Sequence, residues 1–73
     1  MNKYHINVFY SAEDEGYIAD IPDLESCSAF GETPVKAFAE IMIAQKLWLQ
    51  AAEENNMEIP EPKYKPMTYK IAQ

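Results

Sequence analysis

A chain of 73 residues is one domain, 1–73, and a domain of that size buries only about 60% of the surface its unfolded form exposes. Its 48% hydrophobic content argues against disorder, and self-association is a natural way to bury what one small core cannot, so a homo-oligomer is expected. Twelve Asp and Glu against six Lys and Arg give a net charge of -6, which repels a phosphate backbone, disfavours direct nucleic-acid binding and favours a basic protein partner.

From Lys3 to Tyr10, the residues Tyr4, Ile6, Val8 and Tyr10 alternate with His5, Asn7 and Phe9, the period of two of a half-buried strand. Ser11 to Gly16 is polar and ends in glycine, as a hairpin loop does, with Gly16 free to take a positive φ. Tyr17 to Ile21 returns as a second strand. Pro22 lacks an amide donor and Pro22-Asp23 favours a turn, so the chain should bend through Glu25 before a third short strand at Ser26 to Phe30.

Gly31-Glu32-Thr33-Pro34 supplies a turn, a helix cap and a pre-set first helical residue. The helix is expected from Pro34 to about Asn55, a stretch without internal Gly or Pro. Phe38, Ile41, Met42, Gln45, Trp48, Leu49 and Ala52 fall at spacings of three and four and mark the face packed on the sheet, with Gln45 its one polar member. Asn55-Asn56 is a plausible stop because Asn tolerates the left-handed conformation. Ile59-Pro60-Glu61-Pro62 is held extended by its prolines, and Met67 to Ile71 could close the fold as a short edge strand. The expected fold is α+β: a three-stranded antiparallel sheet packed by one long helix.

Cys27 is the only cysteine, so no intrachain disulfide can form. The first residues turn polar at once, without the apolar run of a signal peptide or membrane span. A soluble, cytoplasmic protein is expected.

The residues Glu15-Gly16-Tyr17-Ile18-Ala19, Pro22-Asp23-Leu24, Cys27, Gly31-Glu32-Thr33-Pro34 and Ile59-Pro60-Glu61-Pro62, in that order and spacing, resemble the HicB family of antitoxins across nearly the whole chain. The resemblance implies a partial ribonuclease-H-like β-β-β-α-β fold that oligomerises and covers the active site of a small basic toxin, a HicA-like mRNA ribonuclease. Glu25-Ser26 departs from that pattern, standing where the family commonly has Pro-Gly, and one glycine of the common Gly-Gly before Tyr17 is missing. The family's helix-turn-helix or ribbon-helix-helix segment finds no room before Gln73, so DNA-binding autoregulation is not expected. The alternative is an orphan HicB-fold oligomeric scaffold or ligand-binding protein without a toxin.

For toxin contact the candidates are the acids Glu13, Asp14, Glu15, Asp20, Asp23 and Glu25, weighed against an ordinary solvated loop. A metal-dependent nuclease would need converging carboxylates, for which Asp20, Asp23 and Glu40 are the candidates. The spacing favours surface acids instead, and no enzyme, metal or cofactor is expected. His5 has no second histidine to work with and is read as a polar residue on the outer face of the first strand. Cys27, between small residues, is read as a buried, inert thiol. Tyr10, Tyr17 and Phe30 are read as core or dimer interface rather than toxin anchors.

Overall fold

The computed structural model describes residues 4–66; Met67 to Ile71, the expected closing strand, lies outside them. Strands β1 (Asn7–Ser11), β2 (Gly16–Asp20) and β3 (Ser28–Gly31) form an antiparallel sheet in the order β1-β2-β3, and helix α1 (Pro34–Glu54) packs on one face of it. The α+β architecture expected from the sequence is therefore present. No helix among the described residues is long and apolar enough to cross a membrane.

The strands are offset from their expected limits for one local reason. Asn7 pairs with Asp20 at the end of the β1–β2 ladder, and beyond it Ile21 donates its N–H to the Cys27 carbonyl at 3.1 Å, carrying the Asp20–Ser28 pairing with β3 one step further. Leu24 N–H closes on Ile21 O at 3.0 Å and Cys27 N–H on Leu24 O at 3.1 Å, so the Pro22 turn folds into itself. Tyr4 to Ile6 thus run on without a sheet partner, and β3 starts at Ser28 rather than Ser26.

Neither glycine has a positive φ; the left-handed positions are Glu15 (φ 53), Ser26 (φ 61) and Asn56 (φ 57). The expectation for Gly16 is corrected: the preceding Glu15 makes the turn, and Gly16 is small because the Phe30 ring lies where its Cβ would be. Gly31 is required by close approach as well, since a Cβ there would strike the backbone of Ala37 in the first turn of α1. Glu15 and Ser26 stand at the two places where the chain departs from the glycines of the HicB-like pattern.

The helix begins as expected. Thr33 is extended (φ -132, ψ 162), its Oγ1 accepts from the Lys36 N–H at 3.1 Å, and Pro34 follows. It ends at Glu54 with Asn55 as cap. The buried face is Ala37, Ile41, Gln45 and Ala52, with Ala44, Trp48 and Leu49 partly buried beside it. Phe38 and Met42, expected on that face, are instead half-exposed. Small Ala37 and Ala44 bring the helix close to the sheet, and larger side chains are pushed to its flank.

The core gathers Tyr4, Ala19, Ile21, Leu24, Cys27, Ala37 and Ile41. Among the described residues only Ile21, Leu24 and Ile41 are large and fully buried, each worth about 1.5–3 kcal/mol of apolar transfer. The helix lies mainly over β3 and β2 and barely reaches β1. Val8 and Tyr10, on the helix side of β1, consequently stay exposed, although Tyr10 packs edge-on against Tyr17 with ring centroids 5.4 Å apart.

Candidate functional site

Side chains alternate across a strand, and the two registers fix which of them share a face. Val8, Tyr10, Tyr17, Ala19, Ala29 and Gly31 lie toward α1. The opposite, helix-free face carries two cross-strand rows: Asn7–Asp20–Ser28 and Phe9–Ile18–Phe30. Phe9 is 50% and Phe30 43% exposed, with Ile18 half-buried between them. Three large apolar side chains in one row exceed what a solvated sheet face needs, and aromatic and β-branched cross-strand neighbours also hold one another in place.

The six candidate acids flank this face rather than converge. Glu13, Asp14 and Glu15 form the β1–β2 turn and are exposed. Within it Ser11 Oγ donates to Asp14 Oδ2 at 2.8 Å and accepts the Asp14 N–H at 3.4 Å, which fixes the turn and leaves Glu13 and Glu15 to solvent. Asp20, Asp23 and Glu25 lie at the other end of β2, and the strand between Glu15 and Asp20 spans about 17 Å.

These three acids have separate surroundings. Asp20 is half-buried, and its Oδ1 has no hydrogen-bond partner among the described residues. Asp23 accepts the backbone N–H groups of Lys63 and Tyr64, each at 3.1 Å, and so holds the segment after α1 against the sheet end. The same segment is met by the Tyr4 hydroxyl, which donates to the Pro60 carbonyl, and by the His5 ring, 4.9 Å from Tyr64. Glu25 is exposed, and its carbonyl accepts from Trp48 Nε1 at 2.9 Å.

The groups capable of chemistry sit in separate surroundings. Cys27 is buried, and burial, with the nearby negative charge of Asp20, pushes its thiol up from its ordinary value, the opposite of nucleophile activation. Burial, with Asp23 beside it, likewise raises the Tyr4 hydroxyl. His5 Nε2 donates to Asn7 Oδ1 at 2.6 Å. Among the described residues no three His, Cys, Asp or Glu side chains are grouped as a metal ion needs; Glu40 is exposed on α1, away from Asp20 and Asp23.

Over 53 residues the chain is 40% identical to UPF0150 protein ssl0259 of Synechocystis sp., an alignment covering 73% of each protein. The chain belongs to the UPF0150 family. No family model matches it, and no solved structure matches it.

The apolar row was only partly legible beforehand. Alternation places Phe9 on the outer face of β1, and Phe30, expected in the core or a dimer interface, is instead 43% exposed on this same helix-free face; their alignment through Ile18 follows from register, which single-strand patterns do not contain.

Proposed function

We propose that this UPF0150 chain is an antitoxin-like protein that binds and neutralises a small basic ribonuclease, a HicA-like toxin of a toxin-antitoxin pair. The observation that carries the reading is the helix-free sheet face, where the Phe9–Ile18–Phe30 row crosses the strands between acids at their two ends. An apolar centre with a charged rim is the anatomy of a specific protein interface. A ribonuclease is basic where it holds RNA, and the rim acids with the net charge of -6 supply the complement to such a surface. The HicB-like motifs of the sequence support the same reading.

In this reading Phe9 and Phe30 enter the toxin surface, while Glu13, Glu15 and Glu25 pair with the cations that would otherwise grip RNA. Inhibition is by occlusion and needs no catalytic group on this chain. The test is co-expression with the product of a neighbouring short basic reading frame. The reading expects the two to co-purify and growth inhibition to be relieved; independent elution together with unrelieved toxicity would end it.

A further inference from the structure

A cavity of about 230 Å³ opens between the Pro22 turn and the C-terminal end of α1, lined by Glu25, Ser26, Trp48, Ala51, Ala52 and Met57. Its walls are fixed locally. The Met57 N–H bonds to the Ala52 carbonyl at 2.8 Å and the Asn56 N–H to the Glu53 carbonyl at 3.2 Å, with Asn56 left-handed at φ 57. These are the two bonds that close a helix on a left-handed residue, and they fold Met57 back onto the last turn of α1. On the other side the Glu25 carbonyl accepts from Trp48 Nε1 at 2.9 Å and ties the indole to the turn, next to left-handed Ser26. The volume falls below the roughly 300–1,000 Å³ of pockets that enclose a drug-sized ligand and suits a single side chain.

Charge selects that side chain. A helix leaves partial negative charge at its C-terminus, where cations are stabilised and anions are not. Yet the last turn of α1 has no basic side chain, and residues 47–62 hold Glu53, Glu54, Glu58 and Glu61 with neither Lys nor Arg. Exposed Glu25 adds its carboxylate at the cavity itself. The indole N–H is already engaged by the Glu25 carbonyl, so an anion gains no hydrogen bond from Trp48. An indole beside a carboxylate suits a cation, and guanidinium best: it is planar and weakly hydrated, stacks on aromatic rings and donates two parallel bonds to a carboxylate.

We propose that this cavity receives the side chain of an arginine on a basic protein partner, its guanidinium set against Trp48 and donating to the Glu25 carboxylate. No arginine occurs among the 73 residues of the chain, so another molecule must supply it. The inference deepens the antitoxin reading and rests on it only for the basic character of the partner; it adds the kind of cation that Glu25 holds and the aromatic group that holds it too.

Trp48 is the only tryptophan, so its fluorescence reports on this cavity. The full chain is titrated, without any toxin, with acetyl-arginine amide, with the lysine analogue and with the neutral citrulline analogue. A saturable change in emission is expected with the arginine compound in the millimolar range, weaker with the lysine compound and absent with citrulline. Glu25→Gln should weaken arginine binding about fivefold, the upper end for an exposed ion pair, whereas Glu40→Gln, an equal change of charge elsewhere on α1, should leave it unchanged. No saturable response to the arginine compound, equal binding of the lysine or citrulline compound, or a Glu25→Gln protein that binds as tightly as wild type would each overturn the proposal. Failure of co-purification would end the antitoxin reading without altering this titration, and failure of the titration leaves the co-purification test untouched.

Discussion

Asp23 and Tyr64, 41 residues apart, are joined by hydrogen bonds from the Tyr64 N–H to both carboxylate oxygens, at 3.2 and 3.1 Å. An acid that the sequence nominates for partner contact is thus also a clamp on its own chain. Asp23→Ala should cost about 1 kcal/mol, the low end for hydrogen bonds to a charged acceptor at a partly exposed site. Urea denaturation reads the loss, and faster tryptic cleavage after Lys63 would locate it.

Ser26 at φ 61 and Glu15 at φ 53 hold left-handed conformations that cost an L-residue about 1–2 kcal/mol relative to glycine. Both lie where the HicB-like pattern has glycine. Ser26→Gly and Glu15→Gly should each raise stability by roughly 1 kcal/mol, less the extra entropy of the unfolded glycine chain. Unchanged or lower midpoints in urea would contradict this account of the two turns.

Gly31 and Gly16 differ in what crowds them. An added Cβ at Gly31 meets the Ala37 backbone, which cannot give way without shifting the start of α1, whereas at Gly16 it meets the end of the Phe30 ring, which can swing aside. Gly31→Ala is therefore expected to cost about 3 kcal/mol and Gly16→Ala clearly less. Paired thermal melts test the order, and the reverse order would refute it.

Stability should decline with alkaline pH in two stages. The Cys27 thiol is raised in the folded state by burial and then by Asp20, so below the ordinary thiol range, about pH 8.5, both states are protonated and stability is fully present. Above it the unfolded chain loses its proton first, and stability falls by up to about 1.4 kcal/mol per pH unit until the folded thiol titrates. Tyr4, raised in the same sense, adds a second decline at higher pH. Cys27→Ala should abolish the first decline and keep the second, which denaturant titration across the alkaline range resolves.

What the sequence made legible follows from how local each signal is. The Thr33–Pro34 helix start and the Asn55–Asn56 stop were readable because capping is settled within one turn of chain. The strand limits were not, because the backbone bonds among Ile21, Leu24 and Cys27 that shape the Pro22 turn join residues up to six apart. The helix face was read from spacings of three and four, but close packing put Ala37 and Ala44 inward and left Phe38 and Met42 at the flank. The acids were readable as lying at the hairpin tip and around Pro22, but that β2 sets these at two ends of one sheet needed the pairing. The Phe9–Ile18–Phe30 row needed the pairing itself.

The central claim is that this chain occludes a basic ribonuclease through its helix-free face. The most direct measurement is RNA cleavage by the purified neighbouring toxin while the chain is titrated in, compared between wild type and the double variant Phe9→Ala/Phe30→Ala, with circular dichroism confirming that the variant is folded. The account predicts stoichiometric loss of cleavage with wild type and inhibition weakened by about 100-fold with the variant, as for truncation of two interface anchors. Cleavage that persists in a large excess of wild type, or a folded variant that inhibits as well as wild type, would contradict it.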